Sequence, residues 1–446
     1  MIKVLILAYD FPPYVSVGGL RPYSWFKYFH DYGIYPIVVT RQWDNKYKNS
    51  LDYIAPSDSL EVIEEVTEKG TILRSPYKPN LSNRLLLQYG NNKNILIRKF
   101  VSAYYEFMQY LRFVGPKAEL YLAADNYLKN NKVDCIIATA EPYVLLKYAS
   151  ALGKKYNTKW IADYRDPWSQ NNHVYNNFFI KRWFTILEKR IISKAEAITT
   201  VSGFFMKKIS VLAKDKPFHI IPNGYDENAI ESAQDVKQED KILSLAFVGT
   251  IYKWHPIRSF LNVISHFISS NPGIQFKVNF YGVSAENELA DMIKSEFINL
   301  KPYIKIHNKI KNDLFISELA KNNAMVLFNH YSTIGTKIYE YIGIKRLVLL
   351  CYSHDPEAEE LKRKYFNLEE VGVSSPQLQT ELINETHSGI VVNDAKHLEK
   401  VLQDLYAEFL QNGKINCNSI NTEQFSRKIQ AKRLTEVIKN IVGRTA

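Results

Sequence analysis

Short apolar runs, each stopped by a polar or glycine-bearing loop and followed by a helical stretch, recur along almost the whole chain, and this alternation restricts the fold to α/β. The first run, residues 2–8, has the length of a buried parallel strand. A Pro/Gly loop over 11–19 follows, then a helical stretch over 20–32 closed by Gly33, then a second strand at 37–40. The unit repeats around 135–140, 160–163 and 197–201. Residues 226–240 are polar, acidic and without apolar periodicity, so they read as a linker or domain boundary. Strands restart at 243–249, 277–282, 304–307, 324–328, 347–350 and 390–392, again alternating with helical segments. The expectation is therefore two Rossmann-like, doubly wound domains, 1–225 and 241–421. Residues 422–446 form an amphipathic helix (Phe425, Ile429, Leu434, Ile438) that packs back on the N-terminal domain.

At 446 residues the chain exceeds one compact domain. Its 46% hydrophobic and 23% charged residues exclude disorder, collagen and coiled coil. Cys135, Cys351 and Cys417 have no metal-ligand or disulfide spacing, which points to a reducing compartment and no metal site. No signal peptide is evident after Lys3, and no apolar run reaches the roughly 18 residues of a membrane span. The expected location is the cytoplasm. The net charge of +11 is one-sided, with +12 over 1–225 and −1 over 226–446. Such a field draws a polyanion or an anionic membrane surface, although solubility alone also accounts for it.

Tandem Rossmann-like domains bind ligands at the carboxyl ends of their strands, so a cleft between facing domains is the expected site. Gly18-Gly19 precedes the first helix, where small residues let backbone N–H groups approach a phosphate; the pair is not G-x-G-x-x-G, and ordinary turn chemistry also explains it. Asp163-Tyr164-Arg165-Asp166 ends a strand and breaks at Pro167, which puts two carboxylates around a guanidinium at a strand end; an internal ion pair is the bland alternative. Glu141 adds a carboxylate at another strand end. Thr336, Lys337 and Glu340 open a short helix able to meet a diphosphate and a ribose, unless Lys337 and Glu340 are only an i,i+3 surface pair.

Taken together these residues resemble the GT-B glycosyltransferases, in particular the family 4-like retaining nucleotide-sugar transferases of bacterial surface polysaccharide synthesis. The resemblance is carried by Tyr9-Asp10-Phe11-Pro12-Pro13 with Gly18-Gly19, Ala162-Asp163-Tyr164-Arg165-Asp166-Pro167-Trp168, Val201-Ser202, Ile221-Pro222-Asn223-Gly224-Tyr225-Asp226, Phe247-Val248-Gly249-Thr250 and Gly335-Thr336-Lys337-Ile338-Tyr339-Glu340-Tyr341. It implies a sugar transferred from a nucleotide-sugar co-substrate to a glycan or lipid-linked acceptor, with no cofactor and no metal required.

By the same resemblance, Glu340 is the second glutamate of the E-x7-E motif and holds the donor ribose; Ser332 stands where the first would be. Lys253 and Arg258 correspond to the basic pair that neutralises the donor diphosphate, with Thr250 in place of the usual arginine. Ala140 occupies the position of a histidine near the reacting sugar, with Glu141 beside it. The expected donor contacts are thus Gly18, Gly19, Thr250, Lys253, Arg258, Thr336, Lys337 and Glu340, and the expected catalytic groups are Asp166, Glu141 and Arg165.

Two segments of the basic half, 95–114 and 178–184, mix aromatic residues with Lys and Arg. That suits peripheral binding at the inner face of the plasma membrane, unless the aromatics are core. A non-catalytic subunit of the same fold stays open because of Ser332 and Ala140. A nucleic-acid binder is disfavoured, since no recognition signature accompanies the charge.

Overall fold

The computed structural model describes residues 1–14, 16–43, 51–171, 177–283, 286–308, 310, 312–365 and 376–443. It divides into two compact units, residues 1–222 with 428–446 and residues 223–427.

The first unit holds an eight-stranded sheet of β1 (Ile2–Leu7), β2 (Ile34–Arg41), β3 (Ile63–Thr67), β4 (Gly70–Ser75), β5 (Cys135–Ala140), β6 (Lys159–Tyr164), β7 (Ala197–Thr200) and β8 (Phe218–Ile220). The strand order is β3-β4-β2-β1-β5-β6-β7-β8, parallel except for the β3–β4 pair. Its helices are α1 (Val17–Tyr28), α2 (Leu81–Tyr89), α3 (Ile95–Leu111), α4 (Ala118–Asn130), α5 (Val144–Tyr156), α6 (Phe178–Ile192) and α7 (Gly203–Ser210). Alternate residues of β1 enter opposite cores. Leu5 and Leu7 join Leu128, Leu146 and Ile192 on one face, while Val4 and Ile6 join Trp25 and Phe29 on the other. Burial on both faces is why these strands read as unbroken apolar runs.

The second unit holds a parallel sheet of β9 (Leu243–Val248), β10 (Phe276–Tyr281), β11 (Ile304–His307), β12 (Ala324–Phe328), β13 (Leu347–Cys351) and β14 (Gly389–Val392), in the order β11-β10-β9-β12-β13-β14. Around it run α8 (Glu227–Glu231), α9 (Ile257–Ser269), α10 (Glu286–Ser295), α11 (Asn312–Ala320), α12 (Lys337–Gly343), α13 (Pro356–Tyr365), α14 (Leu378–Thr386) and α15 (Ala395–Asn412). The last helix, α16 (Arg427–Gly443), returns to the first unit, where Leu434 and Ile438 pack with Trp25 and Ile137.

Several boundaries fall elsewhere than the sequence pattern places them. The division lies at Pro222–Asn223, and residues 226–240 carry α8, whose Ile230 packs with Ala233 and Tyr225 in the second core. A helix this short leaves too few apolar positions to show a period. Within 422–446, Phe425 sits in the second core, 5.7 Å ring to ring from Tyr339, and only α16 belongs to the first unit. Helix α1 starts at Val17 rather than Leu20 because the Ser16 side chain caps it. The β3–β4 hairpin has no counterpart in the apolar pattern: β3, Ile-Glu-Glu-Val-Thr, is an exposed edge.

The order of strands reverses direction between β1 and β5 in the first sheet and between β9 and β12 in the second. In open α/β sheets these switch points leave a crevice beyond the carboxyl ends of the strands.

Candidate active site

At the first switch point three strand ends converge. Asp10 follows β1, Glu141 follows β5, and Arg165 follows β6. Ser16 organises the first: its hydroxyl donates to Asp10 Oδ2 at 2.7 Å and accepts the Gly19 N–H at 3.0 Å. The Gly19 N–H is therefore engaged in capping α1. Gly18 allows a close approach, since a Cβ there would collide with Arg165 Nη1 and lie 2.9 Å from Asp10 Oδ2. Arg165 Nε donates to the Ala140 carbonyl at 2.8 Å and Nη2 to the Glu141 carbonyl at 3.4 Å, which ties β6 to the turn after β5. Tyr143 donates its hydroxyl to the Pro167 carbonyl at 3.0 Å and stacks on Trp168 at 5.2 Å, fixing the chain beside Asp166.

Asp163, the other carboxylate of the strand-end motif, has a different role. It is fully buried and accepts from Arg21 Nη2 at 2.7 Å and from Thr199 at 2.6 Å, while Arg21 Nη1 donates to the Ile221 carbonyl at 2.7 Å. The internal ion pair thus joins Asp163 to Arg21, leaving Arg165 to the carbonyls.

Electrostatically the site is a carboxylate cluster around one guanidinium. Desolvation raises the Asp10 carboxyl above its ordinary range, against the Ser16 hydrogen bond and the charges of Arg165 and Arg41; Glu141 raises it further. Asp166 is raised by desolvation and by Glu141, with Arg165 opposing. Lys117 is lowered by desolvation, with Glu106 and Glu141 opposing. The Glu141 charge thus reaches Asp10, Asp166, Lys117 and Tyr143. A cavity of about 480 Å³ opens here, with Tyr9, Asp10, Tyr105, Lys117, Glu141 and Arg165 in its wall. Aromatic faces with a few converging polar groups are the make-up of a small-molecule site. Carboxyls held above their ordinary range in a cavity wall mark a candidate functional site.

The second unit places the remaining candidates around its own switch point. Beyond β9, Gly249 adopts φ +105° and Thr250 follows it half-buried. Lys253 is exposed. Arg258 is exposed too and ion-pairs with Glu296; both basic residues line a cavity of about 310 Å³ with Tyr252, Glu288 and Glu357. Beyond β12, Thr336 precedes α12, and Lys337 Nζ meets Glu340 Oε2 at 2.9 Å while lying 5.1 Å above the Phe315 ring. The i,i+3 pair is therefore formed. Ser332 and Ala140 are both fully buried.

Sequence reasoning assigned no role to Asp10, Ser16 or Arg21. Ser16, at the end of the Pro/Gly loop and directly ahead of α1, was the available signal for the cap. It also missed a packed group between the loops after β9 and β12. His330 lies 4.6 Å from the Trp254 ring, His255 is 4.2 Å from Trp254, and Lys362 Nζ sits 3.5 Å above Trp254. Burial lowers His330 to about 3 and Lys362 to about 7, and holds His255 well below the usual imidazole range. No spacing links these residues in the sequence.

Residues 27–229 match the model of Glycosyltransferase Family 4. Among solved structures, the fold is similar to sucrose-phosphate synthase from Thermosynechococcus elongatus (TM-score 0.60, 13% identity, 100% of both chains). It is also similar to the Escherichia coli trehalose-6-phosphate structure bound with UDP-2-fluoro glucose (TM-score 0.58, 11% identity, 98% of this chain and 99% of that one). A glycosyltransferase from Rickettsia africae ESF-5 gives TM-score 0.57 at 15% identity, over 99% of this chain and 98% of that one. No curated protein matches the sequence. Two parallel-sheet α/β units with this likeness define the GT-B fold. The Family 4 match covers residues 27–229 of the first unit, and the two units together have the GT-B fold.

Proposed function

We propose that the protein transfers a sugar from a nucleotide-sugar donor to a glycan or lipid-linked acceptor, with retention of configuration and without a metal, in cell-surface polysaccharide synthesis at the cytoplasmic face of the membrane. The observation that carries this reading is the convergence of Asp10, Glu141 and Arg165 on one cavity at the first switch point. The acceptor binds there. The donor binds on the second unit through Thr250, Lys253, Arg258, Thr336, Lys337 and Glu340.

In the reaction the diphosphate gains negative charge as the sugar becomes oxocarbenium-like. Lys253 and Lys337 stabilise the leaving group by charge, in the way positioned cations act on developing anions. Lys337 occupies one oxygen of Glu340, and a carboxylate with two oxygens keeps acceptor capacity for the ribose hydroxyls. On the first unit, Glu141 and Asp166 orient the acceptor hydroxyl, and Arg165 holds the Ala140–Glu141 turn in register. In a retaining reaction the acceptor attacks from the face that the diphosphate leaves, so the departing phosphate takes the acceptor proton and a protein base is not needed.

The test is a thermal-shift and donor-hydrolysis panel with UDP-, GDP-, dTDP- and CMP-sugars, in EDTA and in magnesium. Stabilisation and turnover with one nucleotide class, unchanged by EDTA, are expected. Turnover that requires magnesium overturns the metal-free mechanism, and the absence of any donor response overturns the transferase site.

A further inference from the structure

Helix α3 has two faces of opposite character. Ser102, Tyr105, Glu106, Gln109 and Tyr110 line the cavity, at the i, i+3, i+4, i+7 and i+8 spacing of a single helical face. On the other side Leu96 (81% exposed), Phe100 (75%), Tyr104, Phe107 and Leu111 form a row open to solvent. A contiguous apolar row of this length differs from the scattered exposed hydrophobics of an ordinary surface and marks an interaction face.

The row continues onto α6. Phe107 packs 4.9 Å from Trp183, and α6 exposes Phe178 (69%), Phe179 (79%) and Ile186. Cations surround it: Lys99, Arg182, Lys189 and Arg190 are exposed, and residues 81–113 hold five basic residues and one acid, Glu106, which faces the cavity. The aromatics of the two segments are thus divided, with Tyr110 and Phe184 in the core and Phe100, Phe178 and Phe179 outside. Apolar and aromatic side chains ringed by Lys and Arg match the headgroup region of an anionic bilayer. A second copy would set the same cations against one another, and charged residues are depleted from protein–protein interface cores.

We propose that the outer face of α3, with the exposed face of α6, docks on an anionic membrane, so that the cavity on the inner face of α3 receives the headgroup saccharide of a lipid whose anchor stays in the bilayer. This rests on the reading of that cavity as the acceptor site, and it selects a lipid-linked acceptor over a free glycan.

The test is co-sedimentation of the full chain with phosphatidylcholine vesicles and with equal-part phosphatidylcholine–phosphatidylglycerol vesicles, alongside the donor thermal shift as a separate readout. Wild type is expected to pellet with the anionic vesicles, less so with neutral ones, and to be released by salt. Phe100→Ser and Leu96→Ser, on exposed positions, are each expected to weaken binding roughly tenfold or more and to keep the donor shift. Lys99→Glu with Arg182→Glu is expected to weaken binding to anionic vesicles alone.

Wild type remaining in the supernatant with anionic vesicles overturns the docking proposal, and so do Phe100→Ser and Leu96→Ser that bind as well as wild type. A dimer abolished by Phe100→Ser, without vesicle binding, assigns the face to a second copy and overturns it equally. Vesicle binding without any donor shift leaves the membrane face standing and removes the transferase reading on which the acceptor assignment depends.

Discussion

Gly18 lies directly against the Arg165 guanidinium, so close that a single added methyl would occupy the space of Nη1. The atom displaced is the far end of a flexible side chain, so the fold tolerates the change and the site does not. Gly18→Ala is expected to alter the unfolding free energy by less than about 1 kcal/mol and to lower transfer at least roughly tenfold by moving Arg165. Urea denaturation together with steady-state kinetics checks both halves. A stable variant with full activity would show that the position of Arg165 is not used.

The Arg21–Asp163 pair makes the contrasting prediction. Both groups are buried, and Arg21 also holds the Ile221 carbonyl near the exit from the first unit. Arg21→Met leaves a buried carboxylate with only Thr199 from this network, and breaking one side of such a pair costs about 3–5 kcal/mol. Chemical denaturation measures this. A loss below about 1 kcal/mol would contradict a structural role for the pair.

Lys362 gives a pH dependence of defined sign. Its side chain is 1% exposed, and burial lowers it from 10.5 to about 7. Between about pH 7 and 10 the unfolded chain binds the proton that the folded one has released, so this group makes stability rise with pH across that window. Below pH 7 the folded state carries the full penalty, at most roughly 5 kcal/mol by linkage. Lys362→Met is expected to be more stable than wild type at pH 6 and to flatten the rise between pH 7 and 10, as followed by denaturation at each pH. An unchanged pH profile would show that the ammonium is solvated.

The two sheets were legible because a strand buried on both faces is an apolar run, and β5, β11 and β12 appear in the sequence with the bounds they have in the structure. The edge strand β3, with Glu64 and Glu65 exposed, carries no such mark. Individual strand-end residues were also legible, since Glu141 and Arg165 each follow a recognisable strand. Their company was not: Asp10, Glu141 and Arg165 meet only because the β1–β5–β6 order brings distant loops together. The same limit hid the Asp163–Arg21 pair and the packing of His330 and Lys362 on Trp254. The two-faced character of α3 was visible as a mixture of aromatic and basic residues, but which face each occupied depends on what α3 packs against.

In the proposed function, the second unit holds a nucleotide-sugar through Glu340. Lys337 and Glu340 form a partly exposed pair, worth no more than about 1 kcal/mol, so Glu340→Ala is expected to leave the fold intact while removing the proposed ribose acceptor. The decisive measurement is the thermal shift of wild type and Glu340→Ala with each class of nucleotide-diphosphate sugar. One class is expected to stabilise wild type, since a ligand of the native state raises apparent stability by mass action, and that shift is expected to vanish in the variant. No shift with any donor, or an equal shift in Glu340→Ala, would contradict it.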